Sequence, residues 1–407
     1  MIMHNILGSF SVSTFLQNYW QQKPLLIRKA FPVRSIHFEA EDFLHLAKKR
    51  ENARYVESLS PYPRMKVTHG TFKKGSQKNP WTVLLNDLQQ DVPALWPLLW
   101  HLDFLPRWRQ DDFMMSYAVD GGGVGAHLDE YDVFLLQWRG KRQWSIEREA
   151  RPHYPEGQEP FYPRLPLKIL RDACPEKSWI LEEGDMLYLP PRVVHHGISL
   201  GTGMTLSLGF RAPSTQEMLL HFTQRLFTQL TTSQRYRDPL PFPLQASYSP
   251  LSIADSSLQN LGKELLHLMA KEQSLIPEWF GELVTTPYRP SIPPENKKIS
   301  WERTLKGLQK EWQKSWVLLP HPRQRSTFYF SPQKNSKSFF FCEGETQILP
   351  PQEIPLLKKI FKNKGHWTHK EKVLFLSAIP LSSFLQQLLK RSYFVLFHPQ
   401  TLEERSL

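Results

Sequence analysis

The sequence predicts an α+β fold in which a barrel of short antiparallel strands is followed by helices and a basic tail. Five short runs of β-forming residues, separated by Gly, Pro and charged turns, lie between residues 113 and 211: FMMSYAV, VFLLQW, RQWSI, MLYLP and TLSLGF. From residue 214 onward, apolar residues instead recur at helical spacing. Strands of this kind are typical of a double-sheet jelly roll, a cupin-like barrel in which inward side chains converge on one site.

Length and composition favour a cytoplasmic protein with more than one domain. The chain has 407 residues, 40% of them hydrophobic and 13% aromatic, which is enough for real cores. Its two cysteines, Cys174 and Cys342, are far apart, as expected for a reducing compartment. The first residues lack the pattern of a signal peptide, and the longest apolar runs are too short to span a membrane.

Before the barrel, the sequence predicts a small number of short elements. Ser13 is a candidate cap for a helix through FLQNYW, and Leu25–Ile27 reads as a short buried strand bounded by prolines. Residues 36–110 mix helical and extended signals. The segment PALWPLLWHLDFLPRWRQ predicts a short helix between loops.

The stretch around which the chain is organised runs from Tyr117 to Trp144, where a glycine run leads into His127 and Asp129. In a strand, residues i and i+2 face the same side, so the imidazole and the carboxylate would point to one place. These are two members of the 2-His-1-carboxylate triad that binds iron(II) in oxygenases. His195 and His196, after Pro190-Pro191, are both candidates for the third ligand, and spacing alone does not choose between them.

A second His-x-Asp triplet, His101-Leu102-Asp103, lies in the proline-bounded helical stretch. In a helix, side chains i and i+2 diverge, so this triplet is interpreted as structural.

An iron centre of this kind takes electrons from a second substrate, for which a 2-oxo acid is suitable. Arg142, just after a predicted hairpin turn at residues 138–141, could pair with its distal carboxylate. Thr205 and Ser207 share one face of a strand and could add hydroxyl donors. A solvent-facing hairpin arginine remains the alternative for Arg142.

After the barrel, the sequence divides into two further segments. Residues 214–286 contain three amphipathic helices, the first with a capping box at Ser214 and Glu217. Residues 287–407 alternate helices with β-runs and carry 20 Lys and Arg against 9 Asp and Glu, out of a net charge of +12 for the whole chain. A basic tail favours an anionic partner, nucleic acid first, although a solvated lysine-rich surface would read the same way.

The motifs of the barrel resemble those of the bacterial JmjC-type ribosomal oxygenases, in the cupin superfamily. The matching blocks are GGGVGAHLDEYDVFLLQ…GKRQW, GDMLYLPPRVVHHGISL and SLGFRAP, with weaker likeness in YWQQKPLLIRKAFP and EWFGEL. The resemblance implies that His127, Asp129 and His195 are the metal ligands and catalytic residues, and that Arg142 binds 2-oxoglutarate. Arg192 and Val194 stand where the family often has glycine and proline, and His196 stands where it usually has another polar residue.

The resemblance also implies an architecture and an activity. We expect a JmjC catalytic domain at residues 1–213, a helical dimerisation region at 214–286 and a basic winged-helix-like domain at 287–407. The expected activity is iron(II)- and 2-oxoglutarate-dependent hydroxylation of an arginine β-carbon in the sixteenth protein of the large ribosomal subunit, by a homodimer that could contact ribosomal RNA through its tail. The alternatives are an oxygenase acting on another protein or on RNA, and a non-catalytic cupin-like binding protein.

An arginine substrate requires a partner for its guanidinium, and a carboxylate suits that role best. Asp120, before the glycine run, is a candidate at the pocket mouth, and Tyr117 could flank the same side chain. The alternative is that Asp120 only shapes an Asp-Gly turn.

Overall fold

The structure is a computed structural model that describes residues 5–59, 63–155, 157–228, 255–271, 275–287, 317–321, 324–333, 336–360, 382–390, 394–398 and 403–406. Contacts divide the chain into two compact units. The first comprises Met1–Ala212, Ser291–Gln324 and Leu356–Leu407, and the second comprises Pro213–Pro290 and Arg325–Pro355. No helix among the described residues is long and apolar enough to cross a membrane.

The elements follow in chain order. The helices are α1 Val12–Asn18, α2 Ala40–Lys49, α3 Pro97–His101, α4 Thr215–Phe227, α5 Asp255–Lys271, α6 Ile276–Thr285, α7 Ile354–Ile360 and α8 Ser383–Lys390. The strands are β1 Leu25–Ile27, β2 Arg54–Ser58, β3 Met65–His69, β4 Trp81–Leu85, β5 Gln110–Ala118, β6 Asp132–Ala150, β7 Lys177–Leu181, β8 Met186–Leu189, β9 Val193–Phe210, β10 Val317–Pro320, β11 Ser326–Tyr329, β12 Phe339–Cys342, β13 Glu345–Ile348, β14 Phe394–His398 and β15 Glu403–Ser406.

The first unit is built on a nine-stranded antiparallel sheet. Its strand order is β1-β8-β6-β9-β5-β4-β2-β3, and β7 also pairs with β6. Side chains alternate between two apolar clusters along β6: Phe134 and Leu136 lie in the larger one, while Val133 and Leu135 lie in another. This architecture is consistent with the predicted jelly roll, and it confirms that this part of the chain is an antiparallel β fold.

The predicted hairpin turn at residues 138–141 is wrong. The chain continues through this segment as one long strand, β6, with irregular pairing to β9 between Gln137 and Lys141. Gly140 has φ +66°, and a Cβ there would lie 2.3 Å from the carbonyl oxygen of Thr202. The turn-like sequence therefore produces a bulge that bends the strand, which brings the second half of β6 round to β7.

The amino-terminal elements are largely as predicted. Strand β1 occupies the predicted residues and pairs with β8. Helix α1 begins one residue before Ser13, and its cap is Ser11, whose hydroxyl accepts the Thr14 N–H at 3.0 Å. The predicted cap, Ser13, was wrong because it lies inside the first turn of the helix. Ser11 precedes that turn, so its hydroxyl can reach a free backbone N–H.

The second unit joins helices to a three-stranded sheet. The predicted capping box is present, with the Ser214 hydroxyl accepting from Glu217 N–H and the Glu217 carboxylate accepting from Ser214 N–H. Helix α6 packs on the β11-β12-β13 sheet so closely that a Cβ on Gly281 would lie 2.3 Å from the Phe341 ring. Residues 325–355 therefore pack with the helical segment and not with the rest of the tail, to which the sequence assigned them.

Part of the tail belongs to the first unit. There, β10, β14 and β15 form a separate antiparallel sheet. Most of the linker predicted between residues 287 and 298, and many residues assigned to the winged-helix-like domain, lie outside the described residues. The winged-helix arrangement stays a prediction.

Candidate active site

A glycine-rich loop carries the first two functional side chains from β5 to β6. The loop docks on β9 through hydrogen bonds from Gly121 N–H to Ser199 O (2.9 Å) and from Ser199 N–H to Gly122 O (3.0 Å). A Cβ on Gly123 would lie 2.5 Å from the Gly197 carbonyl oxygen, so only glycine allows this close approach. Backbone contact with β9 thus fixes the position of the residues that follow the loop.

Three of the predicted side chains meet at one point. His127 and His195 form an antiparallel bridge, with His127 N–H donating to His195 O (3.0 Å) and His195 N–H to His127 O (2.9 Å). The ligand atoms of His127, Asp129 and His195 all lie within 4.8 Å of one another. The Nε2 atom of His195 is 3.7 Å from Oδ2 of Asp129. Two imidazoles and one carboxylate on one side of a centre suit a divalent transition metal with open positions.

Backbone carbonyls orient both imidazole rings. Nδ1 of His127 lies 2.9 Å from the carbonyl oxygen of Gly125, and Nδ1 of His195 lies 2.9 Å from that of Val193. Since a carbonyl can only accept, both Nδ1 atoms are the protonated ones, and each Nε2 keeps a lone pair. A hydrogen bond from the non-coordinating ring nitrogen to a carbonyl fixes the tautomer and ring orientation of a metal-binding histidine.

Electrostatics favour a neutral histidine beside a carboxylate that needs a cation. Burial, and then the neighbouring His127, hold the pKa of His195 well below its ordinary value. Burial raises the pKa of Asp129. The nearby His127, a hydrogen bond from Tyr131 and the charge of Arg54 lower it by less. Asp129 in turn is the largest cause that raises the pKa of Tyr131. A metal ion would compensate the buried carboxylate that these pKa shifts report.

The structure separates the ligand candidates that spacing left open. His195 faces the cluster, whereas His196 faces the other side of β9, opposite Ser145 on β6. Burial lowers the pKa of His196 to about 4, with smaller effects of His127 and Arg142. His101, from the second triplet, ends helix α3 and packs edge-on against Phe31, with ring centroids 5.3 Å apart.

Arg142 is a buried cation in the same pocket. It is 4% exposed, and its guanidinium donates to Ser116 Oγ (3.1 Å) and to Gly197 O (3.2 Å). Burial lowers its pKa to about 10, so it remains charged at neutral pH. No carboxylate lies within 4.0 Å of it in the part of the chain that the structure describes. A solvent-facing arginine, the alternative interpretation, is therefore excluded.

Two buried donors of the pocket are left unpaired by the described protein atoms. They are Nε of Arg142 and Nε1 of Trp144, and both residues line the pocket with the metal cluster. A Cβ on Gly197 would lie 2.6 Å from Arg142 Nε and 2.7 Å from the Trp144 ring, so glycine is required where these side chains stack. Unpaired buried donors are costly, and an anionic ligand with carboxylate oxygens would satisfy them. The pocket therefore fits a carboxylate cosubstrate.

Hydroxyl groups complete this side of the pocket. Thr205 and Ser207 line it as predicted from their shared strand face. The Thr205 hydroxyl donates to Gln137 Oε1 at 3.0 Å, which holds it in place. Ser116 also lines the pocket, although the sequence analysis did not single it out. Strand pairing explains its position, because Ser116 lies opposite Thr205 on the neighbouring strand.

The predicted substrate-binding residues lie elsewhere. Side chains on β5 alternate, and the pocket is lined by Asp112, Met114 and Ser116, so Tyr117 points to the opposite face and stacks on Phe43. Asp120 is exposed, and its carboxylate accepts the Gly201 N–H at 2.7 Å. The substrate-binding prediction for Tyr117 and Asp120 is not supported by their positions. The Asp120 carboxylate instead binds the backbone of Gly201, which lies far away in sequence.

Arg192 joins the two segments that carry the metal cluster. Its N–H donates to Asp129 O at 2.7 Å, and its Nε donates to Arg151 O at 2.8 Å. Its guanidinium also forms an ion pair with Glu130 and donates to Pro152 O. Its φ of +66° is a conformation that favours glycine. The side-chain bonds offset that backbone strain in this chain.

We expect Arg192→Ala to lower the free energy of unfolding by about 1–3 kcal/mol, because charge-assisted hydrogen bonds are lost while the strained φ remains. Arg192→Gly should recover about 1 kcal/mol of that loss, since glycine adopts positive φ without strain. Urea denaturation of the three proteins measures both effects. Arg148→Ala is the control, because its ion pair with Glu176 is largely exposed. An Arg192→Ala protein as stable as the Arg148→Ala control would contradict the assignment.

Comparison with known proteins identifies relatives of the whole chain and of its barrel. A family model described as the JmjC domain matches residues 97–218. The chain is 32% identical over 265 residues to a probable ribosomal oxygenase of Haemophilus influenzae, a match that covers 64% of each chain. It is 30% identical over 276 residues to the ribosomal protein uL16 3-hydroxylase of Escherichia coli, covering 67% of this chain and 70% of that protein.

Solved structures extend the likeness. The X-ray structure of Escherichia coli YcfD matches with a TM-score of 0.74 and 25% identity, covering 96% of this chain and 99% of that one. A structure of YcfD, described as a ribosomal oxygenase in complex with cobalt and 2-oxoglutarate, matches with a TM-score of 0.73 at the same identity and covers the same share of each chain. The fold, the site and these relatives together show that the chain belongs to the family of bacterial JmjC ribosomal oxygenases.

Proposed function

We propose that this chain is an iron(II)- and 2-oxoglutarate-dependent protein hydroxylase. The observation that carries the proposal is the meeting of His127, Asp129 and His195 in one pocket with a buried arginine that has unpaired hydrogen-bonding capacity. In this proposal the three side chains hold iron(II), and Arg142 holds the distal carboxylate of 2-oxoglutarate. Thr205 and Ser207 line the same wall.

Bound iron(II) supplies activation of dioxygen, with 2-oxoglutarate as the source of two electrons. The protein provides positions and charges for the reactants. His127 and His195 present their Nε2 atoms to the metal, Asp129 supplies one carboxylate oxygen, and Arg142 fixes the cosubstrate by charge and hydrogen bonding. The apolar side chains Leu84, Val133 and Leu135 line the same pocket and restrict water there.

We propose that the substrate is an arginine of the sixteenth protein of the large ribosomal subunit, hydroxylated on its β-carbon. The name of the Escherichia coli relative, a uL16 3-hydroxylase, supports this choice. A ribosomal protein substrate would place the reaction in the cytoplasm. The triad fixes the chemistry and not the substrate, so the pocket itself must recognise the arginine.

Asp112 is the residue that we assign to the guanidinium. It lines the pocket together with Met114, Tyr131 and the ligand Asp129. Its carboxylate accepts a hydrogen bond from Asn86 Nδ2 at 2.5 Å, which orients it, and a carboxylate can accept from several donors. An aromatic ring beside a carboxylate suits a guanidinium, because one group pairs with it and the other packs on its face.

The test compares Asp112→Asn with Asp120→Asn. We expect Asp112→Asn to lower hydroxylation of an arginine peptide from uL16 at least about tenfold, because a buried charge pair is lost. Decarboxylation of 2-oxoglutarate without peptide should continue. Asp120→Asn should hydroxylate the peptide within about twofold of the wild-type rate, since its carboxylate lies in an exposed turn. The opposite pattern would return the role to Asp120.

The two alternative functions make different predictions. An oxygenase for another protein or for RNA would decarboxylate 2-oxoglutarate with iron(II) but leave uL16 unmodified. A non-catalytic cupin-like protein would show no turnover with any partner. Decarboxylation assays of the wild-type protein and of His127→Ala, each with and without the uL16 peptide, separate these cases.

We further propose that residues 214–286 mediate homodimerisation. Helices α4 and α5 expose large apolar side chains, including Leu220 (60%), Phe227 (71%) and Leu266 (69%). Leu219, Leu258, Leu261 and Leu265 are exposed as well. A concentration of leucines on helices of one unit is typical of a surface that another chain covers.

Analytical ultracentrifugation tests the dimer. At micromolar concentration we expect the wild-type protein to sediment as a dimer and Leu220→Glu with Leu266→Glu as a monomer, because burying the new charges would be costly. Ile348→Glu is the matched control, since Ile348 is 57% exposed on β13. A monomeric wild-type protein would refute the proposal.

The basic tail supports one more part of the proposal. A net positive segment of this size suits contact with ribosomal RNA, in the winged-helix-like domain expected at residues 287–407. Because residues 287–407 contribute to both units, the test keeps the full-length chain and replaces Lys297 and Lys298 by glutamate. We expect weaker co-sedimentation with ribosomal particles, and unchanged co-sedimentation would contradict this part of the proposal.

A further inference from the structure

A second cleft lies in the first unit, on residues that do not line the active-site pocket. Its volume is about 470 Å³, and its walls come from the end of α1, from β1, from β6 and from β7. Leu25, Leu26 and Ile146 form the apolar part of the wall. The active-site pocket and this cleft share no lining residue.

Two sheet edges border the cleft. In the described part of the chain, β1 pairs only with β8, and β7 pairs only with β6. Each strand therefore has one side without a neighbouring strand. The space between the two edges is a groove with a volume typical of small-ligand sites, about 300–1,000 Å³.

The groove is basic and aromatic. Lys23 lies over the Tyr19 ring at 5.0 Å, and Lys177 lies over the Trp179 ring at 5.1 Å. Arg148 adds a third cation, and its ion pair with Glu176 is solvent-exposed on both sides, so it is weak. Three cations and two aromatic rings around one groove match the surface that binds a nucleic-acid strand, with rings for bases and cations for phosphates.

The groove is close to the catalytic centre without being part of it. Ile146, in the groove wall, pairs with the ligand His195 across β6 and β9. Trp179, in the groove, pairs with Trp144 of the active-site pocket across β6 and β7. Residues paired directly across neighbouring strands face the same side of the sheet, so an RNA strand bound in the groove would lie beside the active site.

We propose that this groove binds one nucleotide of a single-stranded RNA. The phosphate would contact Lys23, Lys177 and Arg148, and the base would stack on Trp179 or Tyr19. Lys23 and Lys177 lie over aromatic rings, and their side chains are flexible. When RNA binds, each ammonium group can therefore move from the ring to a phosphate. An acidic peptide would satisfy the cations but would leave the aromatic rings without a flat partner, so RNA is the better fit. The inference goes beyond the proposed hydroxylase activity, because it requires neither iron nor 2-oxoglutarate.

Fluorescence anisotropy with a fluorescein-labelled ten-nucleotide oligouridylate and the full chain tests the proposal. Lys177→Glu should raise Kd about tenfold and make the dependence of log Kd on log salt less steep by about one contact. Trp179→Leu should raise Kd about tenfold while leaving the salt dependence unchanged, since stacking carries no charge. Lys168→Glu is the matched control, because Lys168 also lies over an aromatic ring, Phe161 at 5.9 Å, but outside the groove. It should change Kd by less than about twofold.

Two results would overturn the proposal. One is an equal loss of affinity in Lys177→Glu and Lys168→Glu. The loss would then come from the change in net charge, or the RNA would be bound by the basic tail and not by the groove. The other concerns competition with a ten-residue polyglutamate peptide. If this peptide displaces the labelled RNA at the same concentration as unlabelled RNA does, the aromatic rings do not contribute to binding. Ultraviolet cross-linking of RNA to the peptide that contains Trp179 would support the site directly, and cross-links confined to residues 287–407 would contradict it.

Discussion

Replacing Asp129 by alanine will abolish binding of a divalent metal. The three ligand atoms of His127, Asp129 and His195 lie within 4.8 Å of one another, and Asp129 supplies the only negative charge among them. Without it, two neutral imidazoles remain, and the charge that offsets dehydration of the cation is lost. Calorimetric titration of the metal-free protein with cobalt(II) or iron(II) under anaerobic conditions measures the loss, which we expect to be at least about 100-fold.

Two control variants make this result specific. Asp103→Ala removes a carboxylate from the other His-x-Asp triplet, whose His101 packs on Phe31, and should bind metal as the wild-type protein does. His196→Ala should also keep most of its affinity, because that side chain faces away from the cluster. If Asp129→Ala binds as tightly as Asp103→Ala, or if His196→Ala loses the metal while His195→Ala keeps it, the ligand assignment is wrong.

Arg142→Ala will raise the 2-oxoglutarate concentration required for turnover by about 100-fold or more. The guanidinium is buried and charged, with no carboxylate partner in the described residues, so a bound carboxylate would form a desolvated ion pair with it. Steady-state 2-oxoglutarate decarboxylation gives KM and kcat separately. We expect the change mainly in KM, because the proposed role of Arg142 is to bind the cosubstrate. It makes no hydrogen bond to the three metal-ligand side chains among the described residues.

Neighbouring cations provide the controls. Lys141 pairs with Glu182 at 2.6 Å on the surface, and Arg139 pairs with Glu39, so neither is available to the pocket. Lys141→Ala should therefore leave KM for 2-oxoglutarate within about twofold. An unchanged KM in Arg142→Ala, together with a raised KM in Lys141→Ala, would move the carboxylate site to the other side of the strand.

Local periodicity predicted the parts of the site that depend on one strand alone. Alternation placed Thr205 with Ser207 on one strand face, without any knowledge of neighbouring strands. His127 and Asp129 meet as predicted, although they lie in the loop before β6, where His127 forms an isolated β-bridge. The helical spacing after residue 214 and the capping box at Ser214 were equally local. These signals depend on geometry within a few residues, which the sequence specifies directly.

Strand register was not available from the sequence, and most errors follow from it. The choice between His195 and His196 depends on the bridge that His195 forms with His127. Ser116 was missed because only pairing with Thr205 reveals that it faces the pocket, and Tyr117 was misplaced by the same single step along β5. The wrong hairpin arose because glycine in a bulge and glycine in a turn share a sequence signal.

Contacts between distant segments were also beyond sequence reasoning. The close packing of Phe341 on Gly281 joins strands near residue 340 to a helix near residue 280. Composition placed these segments in separate regions, since the prolines between them read as a linker. Similarly, no local sequence pattern predicts that Arg192 donates hydrogen bonds to the carbonyl oxygens of Arg151 and Pro152.

The most direct test of the central claim is tandem mass spectrometry of uL16 after incubation with the purified protein, iron(II) and 2-oxoglutarate. The account predicts one added oxygen atom on the β-carbon of an arginine, present with the wild-type protein and absent with Asp129→Ala. At least one succinate should form for each hydroxylated arginine. Unmodified uL16 after active 2-oxoglutarate turnover would contradict the proposed substrate, and the same modification with Asp129→Ala would contradict the metal site itself.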